Sequence, residues 1–441
     1  MSKLLINKLY GNNFLLGVYM VDKVLMQEAY NCYRFLIEHS NFKENSNGYG
    51  LTLDRTNNKV KATIAGSGFM LSALVIGAVN GWDDSELNRK RALSTIKNFY
   101  DNIPNFYGMF AHYLDYSTGK RYQKCEYSTI DTMLLVNGML VADSYFSCPD
   151  ISKYVDKIFS RIDWNKFIFK YNNRYMIRMA YNDIRGGDYL RRISKGWVFQ
   201  WSMMAEQLSM YLLAAASPAV SPKRSQELFL GFERTVGGYR NYQFVYTPLG
   251  ALFVHQYSHA WFDFRQYYDF VGYDWFNNSV QATLANYAYC QDRKRDFLTF
   301  AAGLWGLSSC DGPRGYSGYG APPFTTYERI NEFSERTDGT VAVYAILSSL
   351  PFCPELVKST ADTMTKNHPE LSGSYGFYDS INLDANWISK DYLSIDKGIS
   401  LLMIDNYYCG TNWHYYMKHR LIKNAIEKLA FIRKEEFNVD N

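Results

Sequence analysis

Hydrophobic positions along the chain fall into two alternating patterns. One is apolar on nearly every face and covers residues 66–81, 128–146, 199–217, 276–290, 339–352 and 396–410. The other is charged and amphipathic and covers residues 83–103, 149–164, 221–234, 353–367 and 414–431. A helix apolar all round is buried, whereas one with a single apolar stripe lies outside. The apolar segments begin 57–77 residues apart, the spacing of a supersecondary repeat. Inner helices each followed by an outer one predict an all-α fold, an (α/α)6 barrel, with residues 1–441 forming one domain. Residues 291–308 are the weakest outer candidate, and 27–40 predicts an extra N-terminal helix.

Short links join each inner helix to its outer partner, so the long links precede the inner helices and gather at one end of the barrel. Long loops on a rigid scaffold are where function concentrates, and a few short strands are expected there. The chemistry-bearing residues fall in those links or just inside the next helix. Asp54 and Arg55 precede the first inner helix, and Glu126 and Asp131 open the second. Glu206 is expected two turns into the third. HQYSHAWFDF, with His255, Tyr257, His259 and Trp261, precedes the fourth. Asp311, Tyr316, Tyr319 and Asp338 precede the fifth, and Tyr378, Asp379, Trp387 and Asp396 the sixth. All are expected around one cavity.

Composition narrows the class of ligand. With 47 basic and 43 acidic residues and no Lys/Arg block, nucleic acid is not expected as a partner. Aromatic residues reach 17%, with 38 Tyr and 9 Trp, and their flat faces suit stacking on sugar rings as well as packing a core. Seven scattered Cys without a C-x-x-C pair predict reduced thiols, not a disulfide framework or zinc site. No apolar run reaches about 18 residues without a charge, so no membrane span is expected. The first twenty residues lack a clean apolar leader core, which predicts a cytoplasmic protein unless the N-terminus has been trimmed. A monomer is expected.

Glu206 is the only charge between Phe199 and Ser217. A carboxylate in an apolar helix must face a polar cavity, pair with a cation such as Arg265, or be protonated. Asp131, three residues after Ser128, fits a capping box, a purely structural role that does not extend to Glu126. His255 and His259 have helical zinc spacing, yet residue 256 is Gln and no third ligand follows, so hydrogen bonding to a polar ligand fits better and no metal or cofactor is expected. GYSGYG (315–320) lacks the G-K-[ST] of a phosphate loop and reads as a flexible Tyr-bearing flap. No nucleophile triad or nucleotide fingerprint stands out. Carboxyls and aromatics around a helical cavity are the parts of a glycosidase, with one acid and one base or nucleophile across the bond.

The segments GLTLDRT, IAGSGFMLSALVIGAVNGW, GMFAHYLDYSTGKR, EYSTIDT, FVHQYSHAWFDFR, ATLANYAYC, WGLSSCDGPRGY, DGTVAVYAILSSLPF, YGFYDSINL and IDKGISLLMIDNY occur in one order over roughly residues 45–415. This arrangement resembles the glycoamylase-like domain. That group includes the endo-β-1,2-glucanases of glycoside hydrolase family 144 and the transglycosylating domain of cyclic β-1,2-glucan synthases. The resemblance implies an (α/α)6 fold and endo cleavage of β-1,2-glucan (sophoro-oligosaccharides). It places the family's two glutamates on Glu126 and Glu206, with Asp131 and Asp396 as rival partners of Glu206. An inverting course is implied by the glucanases, and a transglycosylase or non-catalytic glycan binder are the alternatives. The chain departs from the family in MAEQLSMY, where D/N-E-A-M is usual, and in IDNY for IENY around Asp405.

Overall fold

The computed structural model describes residues 14–321 and 336–437. The first 13 residues, on which the leader reading partly rests, lie outside that range. The chain is mostly helical, with short strands confined to the links. The principal helices are α1 (Phe14–Glu38), α2 (Ile64–Asn80), α3 (Ser85–Asp101), α4 (Thr129–Phe146), α5 (Pro149–Arg161), α6 (Leu208–Ala216), α7 (Pro222–Phe229), α8 (Trp275–Asp292), α9 (Val343–Leu347), α10 (Pro354–Asn367), α11 (Ser394–Tyr408), α12 (Thr411–Lys418) and α13 (Arg420–Leu429). No described helix is long and apolar enough to cross a membrane.

The apolar helices are internal. In α2 every residue from Ile64 to Gly77 is buried, whereas α3 buries one stripe, including Ala92, Ile96 and Phe99. Helix α2 packs against α4 and α11, α4 against α6, and α9 against α11, with α3 and α5 pairing outside them. The α2–α4 crossing is a backbone contact. A Cβ on Gly138 would lie 2.0 Å from the Gly68 carbonyl oxygen, and one on Gly68 would lie 2.3 Å from that of Leu134. Only glycine lets these helices approach so closely. Gly138→Ala is expected to cost about 1–3 kcal/mol of stability by forcing the two helices apart, measurable by urea denaturation.

Five expectations about elements are corrected. The third apolar segment is helical only over 208–216, because Gly196–Gln200 pairs as a strand with Arg174–Asn182 and Glu206 falls in the turn before the helix. The fifth is helical only over 343–347, because Val341 and Ala342 pair with Ile381 and Ser380. The last outer segment is two helices, broken at His419, whose extended backbone lets its ring cap Leu421 and approach Asp143 at 3.0 Å. The N-terminal helix begins at Phe14, well before residue 27, and residues 291–308 contain one helical turn, Leu298–Ala301.

Two link structures position the site. Strand β1 (Thr52–Arg55) pairs with β2 (Asn58–Thr63), which pairs with β3 (Tyr113–Asp115). Strand β4 (Tyr127–Ser128) pairs with the long β5 (Arg174–Asn182), which also holds β6 (Gly196–Gln200). GYSGYG is not a free flap, since Gly315–Gly318 pairs with Ser309–Gly312 in a hairpin.

Candidate active site

A cavity of about 130 Å³ opens at the N-terminal ends of α4, α6 and α11. Asp131, Glu206, Tyr257, Tyr316 and Tyr344 contribute to its wall, with apolar filling from Leu134 and Phe253. It is therefore acidic and aromatic, as the sequence pattern requires.

Asp131 sits in the first turn of α4, where Ser128 is the cap. The Ser128 hydroxyl accepts the Asp131 N–H at 3.3 Å and donates to Asp131 Oδ2 at 2.5 Å, so Ser128 is the cap and the two side chains bond each other. The other oxygen, Oδ1, is 3.5 Å from His112 Nε2. The opposite ring nitrogen, Nδ1, lies 2.9 Å from Glu126 Oε1. His112 thus bridges two carboxyls. Burial alone would lower its pKa, but Asp131 and Glu126 prevail and raise it to about 9. At neutral pH the bridge is an imidazolium. Burial would raise Glu126, yet the hydrogen bond and charge of His112 bring it below the usual glutamate range. Burial raises Asp131, only partly offset by His112 and Ser128. His112 escaped the sequence reading, although it stands in the AHYLDY motif, because nothing in its spacing pointed to two carboxyls.

Glu206 is in a different environment. Its carbonyl accepts the Ser258 hydroxyl at 2.6 Å, which fixes the turn, and its half-buried carboxyl faces the cavity. Arg265, the cation that could have paired with it, is held instead by Asp263 at 2.8 and 2.9 Å and stacks on Trp413. Desolvation, with a smaller push from Asp131, raises Glu206 to about 7. Two carboxyls in unlike surroundings, one ionised and one held partly neutral, are what acid–base chemistry at one pH requires.

A second acidic group lies alongside. Arg55 contacts Asp311 at 3.1 Å and Asp391 at 3.5 Å, and its guanidinium is 6.0 Å from the Tyr316 ring centre. Asp54 pairs with Lys61 at 2.7 Å. The Asp311 N–H donates to Asp379 Oδ2 at 2.8 Å, which brings Asp379 beside Asp396. Both are buried, and Asp396 Oδ1 and Oδ2 and Asp379 Oδ1 lack a hydrogen-bond partner among the described residues. Burial, with the negative charge of Asp379, raises Asp396 far above the usual range, and burial raises Asp379 to about 6.

Several expected cavity residues are placed elsewhere. His255 and His259 are in the core, 2% and 1% exposed, and burial lowers both to about 3, so they are neutral packing groups. His259 contacts the Ser279 hydroxyl at 2.9 Å, and His255 contacts the Asn278 amide at 3.4 Å. Trp261 is fully buried, donates to Ser72 Oγ at 3.1 Å and packs on Phe69, so it offers no face to a sugar. Its apolar ring gains more from the core than from the rim. Tyr378 stacks on Tyr392 at 4.9 Å, and Trp387 pairs through its backbone with Asn382; neither lines the cavity. Tyr319 is buried with its hydroxyl 3.5 Å from Asp338, whose other oxygen caps Thr340. No group of three or more metal-ligating side chains occurs among the described residues.

The Glycoamylase family model matches residues 198–420. A relative from Parabacteroides distasonis, an exo beta-1,2-glucooligosaccharide sophorohydrolase acting at the non-reducing end, is 24% identical over 83% of this chain. The match covers 53% of that relative, so the chain spans about half its length. The endo-beta-1,2-glucanase of Chitinophaga pinensis, solved with sophorotriose and glucose, superposes with a TM-score of 0.80 at 21% identity, covering 93% of this chain and 98% of that one. The beta-1,2-glucanase of Parabacteroides distasonis gives 0.78 at 22% identity, covering 95% of this chain and 60% of that one. At these identities the likeness is one of fold.

Proposed function

The chain belongs to the Glycoamylase family, and from that premise we propose that it is a glycoside hydrolase that cleaves β-1,2-glucan, with Glu206 as general acid and Glu126 as the partner carboxylate. The observation that carries this reading is Glu206: a cavity-facing carboxyl with no cation beside it among the described residues, raised to about 7, while His112 holds Glu126 below the usual glutamate range and also contacts Asp131 in the cavity wall. Protonation of a leaving-group oxygen needs an acid still protonated near neutral pH, whereas activation of water or direct attack needs a carboxylate. His112 serves the second role by keeping Glu126 charged. The substrate class rests on the relatives, whose names are those of β-1,2-glucan enzymes. An inverting course is our reading, with water taking the place of a protein nucleophile, and Asp131 or Asp396 as the rival to Glu126.

The packing of α2 with α4 and α11, and of α9 with α11, supports closure of the inner helices into an (α/α)6 barrel in one catalytic domain. Incubation with linear β-1,2-glucan and a panel of other β-glucans, with products followed by chromatography and by NMR of the new anomeric proton, tests the reading. Cleavage of the β-1,2-linked polymer to a ladder of oligosaccharides, with inverted anomers, is expected. No cleavage of it, against cleavage of another linkage, overturns the substrate. Sophorose as the sole early product favours a second reading, exo action, for which the sophorohydrolase relative argues.

His112→Gln removes the charge that keeps Glu126 ionised. The buried Glu126 then titrates higher, so the acid limb of the pH–rate profile is expected to move upward and kcat at neutral pH to fall about tenfold. An unmoved acid limb would detach Glu126 from the rate.

A further inference from the structure

The connection between β5 and β6, residues 183–195, is a tight structure pinned beside Glu126. Asp188 N–H donates to the Lys124 carbonyl at 3.1 Å, and Asn182 Nδ2 donates to Lys124 O at 2.8 Å and to Asp188 O at 3.3 Å. Arg121 completes the clamp. It donates to Asn182 Oδ1 at 2.7 Å and to the Cys125 carbonyl at 2.5 Å, pairs with Asp183 and lies over the Tyr127 ring at 4.5 Å. A Cβ on Gly187 would sit 2.3 Å from Asn182 Nδ2, so the turn can press against the clamp only because that residue is glycine. One group of hydrogen bonds therefore fixes both the residues just before Glu126 and the turn that follows Asn182.

That turn delivers Tyr189. Its φ is +65°, a conformation costly for a bulky side chain and maintained here by the bonds on either side. The residue is 65% exposed although large, apolar and rigid. Partial burial of its hydroxyl, with the negative charges of Glu126, Asp131 and Asp188, raises its pKa, in keeping with a turn bonded at Asp188 to Lys124, two residues before Glu126. A structural tyrosine would be packed, and a surface one would not need a strained backbone clamped to the segment just before Glu126.

We propose that Tyr189 is a sugar-contacting residue at the mouth of the cleft, stacking on a glucose unit beyond the cleavage point, and that Arg121 and Asn182 are positioning residues that register it against Glu126. This rests on the glycoside hydrolase reading and adds a subsite to it. The face of a pyranose ring is apolar while its rim is hydroxylated, which suits a half-exposed tyrosine. The subsite favours chains long enough to reach it.

The test is steady-state kinetics of wild type, Tyr189→Ala, Tyr189→Phe and Tyr189→Trp on linear β-1,2-glucan and on sophorotriose, with melting temperatures. Tyr189→Ala is expected to raise KM for the long chain about tenfold, with kcat changed by less than about threefold and a smaller effect on the trisaccharide. Phe and Trp restore KM, and all variants melt with wild type. An unchanged KM in Tyr189→Ala, or a loss of kcat accompanied by early melting, overturns the assignment. Wild-type protein inert on every β-glucan overturns the hydrolase reading instead, and this subsite with it.

Discussion

Glu206→Gln is expected to fold normally and to lose at least about 10³-fold in turnover, a little over 4 kcal/mol of barrier. The substitution keeps volume and hydrogen-bonding shape and removes only the transferable proton. Because burial holds the Glu206 carboxyl at about 7, wild-type activity should decline as pH rises through that value, and this alkaline limb should vanish with the mutation. Stability offers an independent check with the opposite sign. A carboxyl raised on folding binds its proton more tightly in the native state, so native stability is greatest below the ordinary glutamate range. Stability then falls as pH climbs from that range to about 7, and is level above. Glutamine mimics the neutral form and escapes the loss, so the variant should be the more stable protein at pH 8 by thermal melting. Near-normal turnover in Glu206→Gln would remove Glu206 from the chemistry and leave Glu126, Asp131 and Asp396 to be reassigned.

Lys397→Met is expected to destabilise the fold by about 3–5 kcal/mol, since it strands a buried carboxylate. Lys397 Nζ lies 2.5 Å from Glu28 Oε1 and 3.1 Å from the Phe377 carbonyl, while Glu28 Oε2 accepts the Phe377 N–H at 3.0 Å. Lys397 is 5% exposed and Glu28 3%. The pair joins α1, the 376–382 link and the first turn of α11, so it holds Asp379 and Asp396 from behind. Removing both charges with Glu28→Gln in the Lys397→Met background should recover most of the loss, because the cost lies in the uncompensated charge and not in the missing bridge. Equal urea midpoints for the single and double variants would refute this account. Activity in the double variant should still fall, as the Asp379–Asp396 pair loses its backing.

Much of the fold was legible because burial imposes composition. The apolar runs at 66–81, 128–146, 276–290 and 396–410 correspond to α2, α4, α8 and α11, since a helix enclosed by others can carry almost no charge. Where strand pairing competed, the pattern misled. Residues 199–207 and 339–342 are apolar enough for a helix, yet Phe199 and Gln200 end the strand that pairs with β5, and Val341 and Ala342 pair with Ile381 and Ser380. An apolar run alone cannot distinguish a buried helix from a buried strand.

The site divides in the same way. The sequence by itself singled out Glu206, the Glu126–Asp131 pair, and the Asp379 and Asp396 links, because isolated carboxyls in apolar surroundings are expensive and conspicuous. It could not separate Trp261, His255 and His259 from cavity residues, for aromatic rings suit a core and a sugar platform equally. Tertiary structure decided that these three are core, that His112 bridges Glu126 and Asp131, that Arg265 belongs to Asp263, and that Arg121 and Asn182 tie the turn before Tyr189 to the residues preceding Glu126. The physical reason is reach. Composition and periodicity report how buried a position is, while the ionisation and role of a carboxyl depend on which charge lies within about 4 Å of it, and that partner is chosen only when distant links close on one another.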